Sequence, residues 1–261
     1  LDVSVPDSLV VAIAPDSFKG SLTSVKVAES LAEGWSTVRP DDEIRLVPQG
    51  DGGQGTLDAV AAAGGWTVER TAVHDPNMRR VHARWLRSED GQQALVEMAE
   101  ASGLSLVPEA DREPLAATTF GTGEVLRAVL DAGVRRVTLG IGGSATSDGG
   151  AGLIQALGGR LIELDGQPTF HGAGPALFGD LVRIDLSGLD VRLEETELRI
   201  ACDVTNPLLG PQGAAAVYGP QKGADPERVV ALDRALAIWS DLLEAATDRT
   251  ERETPGAGAA G

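Results

Sequence analysis

The apolar run "LVVAIAP" (Leu9–Pro15) is short and unbroken, the pattern of a strand covered on both faces. A polar stretch, "DSFKGSLTS", separates it from "SVKVAESLAEGW", whose apolar residues recur at helical spacing behind Thr23 or Ser24 as N-cap. "EIRLVP" predicts a second strand and "QGTLDAVAAA" a second helix, and a β-α-β-α opening is the mark of a parallel sheet flanked by helices. Near Gly65 the texture changes. "WTVERTAV", "RRVHARWLR" and "QALVEMA" alternate apolar and polar positions between turn-rich pieces, as antiparallel strands do, and place a domain boundary there. Beyond them "TFGTGEVLRAVLDAG" predicts a helix, "RRVTLGIGG" a strand running into glycines, "AGLIQALGG" a helix, and "GRLIELD" and "ELRIACDV" strands. "DPERVVALDRALAIWSDLLEAATD" is a long amphipathic helix capped by Asp225 with Pro226 at its first position.

Four polar segments interrupt this pattern where strands end, the place at which open parallel sheets bind ligands. "APDSFKGS" brings Asp16, Ser17 and Lys19, with the lysine able to meet a phosphate or carboxylate. "PQGDGGQGT" and "LGIGGSATSDGGAG" share one device, D-G-G-x-G, about a hundred residues apart, carrying Asp51, Gly52 and Gly53 in the first case and Gly142, Gly143, Ser144 and Asp148 in the second. Glycines at a helix start let an anion approach unshielded N–H groups. An aspartate there holds Mg2+, accepts a hydroxyl proton, or only caps the helix. The fourth segment, "ACDVTNPLLGPQGAAAVYGPQKGAD", offers Asp203 and Asn206 as metal or hydroxyl ligands and Lys222 as a second phosphate clamp, or else it is a long structural loop.

Other patterns point elsewhere and weigh less. Gly140–Ala145 satisfies G-x-G-x-x-A with Glu163 and Asp165 about twenty residues on, a dinucleotide fingerprint on paper. Against it, "SATSDGG" intervenes before the helix. The histidines at 74, 82 and 171 lack zinc-ligand spacing. Cys202 follows "RIA" and reads as a small core residue, while Glu97 stands at a strand-to-helix change and reads as a local cap.

The chain has 261 residues with 42% apolar and 23% charged side chains, the composition of a globular protein. A net charge of −17 argues against a nucleic-acid partner. A single cysteine and the lack of any membrane-length apolar run favour a cytoplasmic protein with no membrane partner. Lysine is scarce: Lys19, Lys26 and Lys222 are the only three, and two of them sit in the polar segments just described.

Together "APDSFKGSL", "DGGxGT", "EMAxASGL", "GTGE", "GIGGSATxDGGAGxxQALG", "CDVTNPLxGxxGAxxxxGPQKGA" and "PGAGAAG", in this order, resemble the glycerate kinase family, the bacterial ATP-dependent type. The resemblance implies two α/β domains. A Rossmann/flavodoxin-like parallel-sheet domain (residues 1–66) is interrupted by an inserted mixed α/β domain (67–250), and 251–261 begin the return to the first domain. It also implies that the family's C-terminal third lies beyond the matched length. ATP with Mg2+ would phosphorylate D-glycerate in a cleft between the domains. Lys19, Asp51 and Asp148 would be catalytic, Asp148 and Asp203 would hold metal, and Asp16, Ser17, Gly52, Gly53, Gly142, Gly143, Ser144, Asp203, Asn206 and Lys222 would bind substrate or nucleotide. The family's usual Ala and Glu in the first loop are here Gly50 and Gln54, which removes one carboxylate. Two alternatives stand beside this reading: a binding module without turnover, and a nicotinamide-dependent oxidoreductase built on Gly140–Ala145.

Overall fold

Strand and helix alternate from Val10 to Ala62 in a computed structural model that describes residues 8–261 apart from 19, 20, 171 and 173. Strand β1 (Val10–Ile13), helix α1 (Ser24–Val38), strand β2 (Glu43–Leu46) and helix α2 (Thr56–Ala62) follow the expected order. Thr23 caps α1, its hydroxyl accepting the Lys26 N–H at 3.3 Å. β1 and β2 pair in parallel, Val10 opposite Glu43 through Ile13 opposite Leu46, as a two-stranded sheet. β1 is therefore not covered on both faces: Val10 is 61% exposed. The strands of the following region do not join this pair but form their own sheet.

That second sheet is built from β3 (Trp66–His74), β4 (Arg80–Ser88), β5 (Gln93–Glu97), β6 (Arg136–Gly140) and one later strand. Between β5 and β6 lie a one-turn helix, α3 (Ala99–Ser102), and α4 (Phe120–Asp131). After β6 come α5 (Ala151–Ala156), β7 (Arg160–Glu163), β8 (Leu181–Asp185), β9 (Glu197–Ala201), α6 (Ala214–Tyr218) and α7 (Pro226–Thr247). The five-stranded order is β3-β4-β5-β6-β9. The β3-β4 and β4-β5 pairs are antiparallel, whereas β5-β6 and β6-β9 are parallel. β7 and β8 form a separate antiparallel pair. The protein is of the α/β class, with a parallel, a mixed and an antiparallel sheet among the described residues.

The period of two in β4 and β5 divides their side chains between two layers. Trp85, Ala94 and Val96 face α4 and pack with Val125, Leu126 and Val129. Leu86 and Leu95 point the other way and pack with Leu57 of α2. The second helix of the N-terminal part thus leans on the mixed sheet, across the boundary expected near residue 66. The end segment 251–261 likewise packs on loops after β6 and β9: Gly258 N–H donates to Asn206 O, and the Ser144 hydroxyl to Ala260 O.

Helix α7 carries its buried side chains Leu232, Ala235, Leu236, Trp239 and Ser240 at helical spacing. Its start is as expected, with Pro226 first and the Asp225 carboxylate accepting the Arg228 N–H at 2.8 Å. Trp239 stacks on Phe178 with ring centroids 5.3 Å apart, and its indole N–H donates to Gly149 O at 2.9 Å. The helix is thereby fastened to the second D-G-G loop. Trp239→Ala is expected to lower the free energy of unfolding by about 3–5 kcal/mol, the usual range for emptying a large aromatic site. Urea titration measures it, and a loss below 1 kcal/mol would contradict the packing described.

Candidate active site

Parallel pairing brings Glu97, Gly140 and Ala201 side by side, so β5, β6 and β9 all end at one place. The loop that follows β2 lies across these ends. Gly142 N–H donates to Gly52 O at 3.1 Å. A Cβ on Gly140 would sit 2.4 Å from that same oxygen, and one on Gly142 would sit 2.6 Å from Gly53 Cα. Only glycine lets the first D-G-G loop touch the Gly140–Gly142 turn backbone to backbone. The same register places Glu97 on the Leu95 face, toward α2. Its carboxylate accepts the N–H groups of Gly55 (3.0 Å) and Leu57 (3.1 Å), satisfying donors at the helix start that would otherwise lack partners.

A cleft of about 590 Å³ opens over this joint. Of the expected site residues, Ser17, Asp51, Gly53, Gly142, Gly143, Ser144 and Asp203 line it. Asp51 Oδ1 accepts the Gly53 N–H at 2.8 Å, so the carboxylate also shapes its own turn. Asp16 accepts the adjoining Ser17 N–H from outside the lining, and Gly52 is the joint itself. Lys19 lies outside the described residues.

Burial and bonding set the surroundings of four further residues singled out in the sequence. Asp148 is 0% exposed. It accepts the N–H of Thr119 (2.8 Å), the Thr119 hydroxyl (2.9 Å) and the N–H groups of Gly152 (3.0 Å) and Gly150 (3.2 Å). Burial raises its pKa against these bonds. Enclosed in this way, it staples the start of α4 to the start of α5 and does not line the cleft. Lys222 is 1% exposed, with its amine bonded inside the protein rather than aimed into the cleft. Asn206 spends its amide on a loop brace, donating to Gln212 O and accepting from the Tyr218 hydroxyl, both at 2.8 Å. Cys202, expected in the core, is exposed on the cleft wall, its thiol donating to Val204 O at 3.3 Å.

Sequence reasoning missed Arg84, Asp58 and Glu100 in the lining. Arg84 donates to Glu100 Oε1 at 2.6 Å and to Asp58 Oδ1 at 2.7 Å, and these contacts, Glu100 first, hold the guanidinium firmly charged. β4 is thereby cross-braced to α2 and α3. No motif carries these three residues; only the shared face of neighbouring elements could have signalled them. Among the described residues, no group of three or more His, Cys, Asp or Glu side chains is placed to hold a metal. Asp51 and Asp203 remain the expected carboxylates that reach the cleft, enough for Mg2+, which takes one or two carboxylates and completes its shell with phosphate and water. The G-x-G-x-x-A segment does not open a helix, since α5 begins only at Ala151. Among the described residues no helix is long and apolar enough to cross a membrane.

Residues 11–261 match the glycerate kinase family. A glycerate kinase of Bacillus subtilis (strain 168) is 48% identical over 96% of this chain and 65% of its own length. A glycerate 2-kinase of Escherichia coli (strain K12) is 44% identical over 96% and 65%. The crystal structure of a protein described as glycerate kinase 2 from Salmonella typhimurium LT2 superposes with a TM-score of 0.86 at 44% identity, covering 97% of this chain and 67% of that one. The chain thus spans about 65% of the length of these two curated relatives.

Burial pushes the Glu97 carboxyl up to about 7 from 4.5, although the Leu57 and Gly55 N–H bonds oppose it. The folded state then holds this proton more tightly than the unfolded chain, so stability falls as pH rises from about 4.5 to 7. Glu97→Gln removes that titration. The unfolding free energy of the unaltered protein minus that of the variant is expected to fall by up to about 3 kcal/mol across the window. Urea denaturation at a series of pH values reads it, and a difference that climbs with pH would contradict the enclosure of this carboxyl.

Proposed function

The chain belongs to the glycerate kinase family, and from that premise we propose that it transfers the terminal phosphoryl group of ATP to a hydroxyl of D-glycerate. The observation that carries this reading is the meeting of two glycine-rich strand-end loops, with Asp51 and Asp203, in one cleft of about 590 Å³. Phosphoryl transfer asks little covalent chemistry of a protein and depends on positioning and charge neutralisation. In this reading the backbone at Gly142–Ser144 receives phosphate, and Ser17 and Lys19 hold glycerate or the moving phosphoryl group. The hydroxyl oxygen forms its bond to the γ-phosphorus as the bridging P–O bond to ADP breaks. Asp51 or Asp203 takes the hydroxyl proton, and the other holds Mg2+. The ion, when bound, supplies positive charge against the phosphates.

Asp148 keeps an indirect part, fixing the loop from within. ADP release, coupled to a spectrophotometric readout with D-glycerate and MgATP, tests the reading. Asp51→Asn and Asp203→Asn are expected to lower kcat at least about a hundredfold, a loss typical of acid–base or charge-stabilising groups, with melting temperatures little changed. Asp148→Asn is expected chiefly to lower the melting temperature, because each bond lost from a buried charged acceptor costs about 1.5–3 kcal/mol. Retention of full turnover by both cleft variants would remove the assignment. MgATP binding without ADP release would instead favour a binding module.

A further inference from the structure

Lys222 closes a short 3-10 turn, Pro220–Lys222, and its side chain runs inward. Its amine donates to the carbonyl of Thr146, to Ala260 O at 2.7 Å and to Ser147 Oγ at 3.5 Å. Burial lowers this amine to about 7 from 10.5, while the charge of Asp148, the ionisable group that faces it, acts the other way. A fully buried lysine is costly unless its donors are satisfied, and here they are satisfied by two separate segments, the 146–147 turn of the second D-G-G loop and the strap 259–261. The strap is held from other directions too. Ala260 O also accepts the Ser144 hydroxyl at 2.9 Å, and Gly261 O accepts the Gly149 N–H at 3.0 Å. Ser144 and Ala259 line the cleft, whereas Lys222 does not.

We propose that Lys222 is a positioning residue, not a phosphate-binding cation: through the shared Ala260 carbonyl it sets Ser144 and the Ala259 wall of the cleft against the nucleotide phosphates. The proposal rests on the kinase reading for its ligand. Its physical content is a coupling. Lys222 and Ser144 act through one oxygen, so removing either loosens what the other holds.

The test is a double-mutant cycle on MgATP affinity, measured by calorimetry on the full chain with Lys222→Met, Ser144→Ala and the pair. Lys222→Met is expected to weaken binding about tenfold or more, and the double variant to be no more than about twofold worse than Lys222→Met alone, because residues sharing one partner are not additive. In turnover assays the KM for ATP rises while that for D-glycerate stays within about twofold, a split that general loosening of the fold would not give. Effects that multiply independently, or unaltered affinity in Lys222→Met, would overturn the proposal and leave the kinase reading standing. No MgATP binding by the unaltered chain would end both. Should Lys222→Met not fold, hydrogen exchange on the unaltered chain decides. Exchange of the Gly149 N–H, which reports docking of the strap, is expected to slow about tenfold with MgATP bound, and an unchanged rate would refute the link.

Discussion

The contact between Gly52 O and Gly142 N–H governs the rest of the cleft. It joins a loop that follows the two-stranded parallel sheet to a loop that follows the mixed sheet, and a Cβ on Gly52 would likewise sit 2.7 Å from Ala201 O at the end of β9. A side chain at Gly140 or Gly142 would occupy the space of the facing main chain, with distances of 2.4 and 2.6 Å to its atoms. The first D-G-G motif therefore meets the Gly140–Gly142 turn, while the second, at Asp148–Gly150, is tied to Trp239 and Gly261 instead. The two aspartates diverge because of where these contacts put them: Asp51 on the cleft and Asp148 behind it.

Behind the joint lies a tier of buried polar groups that fixes geometry. Glu97 completes the start of α2, Asp148 completes the starts of α4 and α5, and Lys222 gathers carbonyls from two loops. Each replaces water for backbone groups that glycine-rich turns leave unpaired. The arrangement explains why charged side chains are tolerated at almost zero exposure: their partners are main-chain donors and acceptors, which cannot move away without unfolding the loop. In front of the joint, Asp51 and Asp203 reach the cleft.

Much of the fold was legible from period alone. The strand ends were placed within a few residues, the α7 cap was read correctly, and all four polar segments proved to contribute to the cleft or to its supports. What could not be read was depth. Asp51 and Asp148 stand in matching local sequence, and nothing within nine residues tells that Thr119 and the strap from 259 will enclose the second one. The cap reading of Glu97 was legible, but its partner was not, because α2 reaches it only through pairing with distant strands. Arg84, Asp58 and Glu100 were invisible for the same reason: their cluster exists only once β4, α2 and α3 share a face. β8 passed unnoticed because "LVRID" is short, and it pairs only with β7.

Electrostatics then constrains what the front tier can do. Among the described residues lining the cleft, Asp51, Asp58, Glu100 and Asp203 are acidic and Arg84 is the one cation, already claimed by two of those acids. The whole chain carries a net charge of −17. The ligands of the proposed function, ATP and glycerate, are both anions, and such a cleft would repel them unless positive charge came with them or from a side chain nearby. In that reading Mg2+ bound to the nucleotide would provide the first. Lys19, next in sequence to the lining residue Phe18, would in the same reading provide the second. Gln54 fits this balance: where the family resemblance leads one to expect glutamate, an uncharged side chain lines the cleft, sparing one more negative charge beside Asp51. Under the proposed function, with Lys222 withdrawn into the support tier, positive charge facing the phosphates would come from outside the described lining of the cleft.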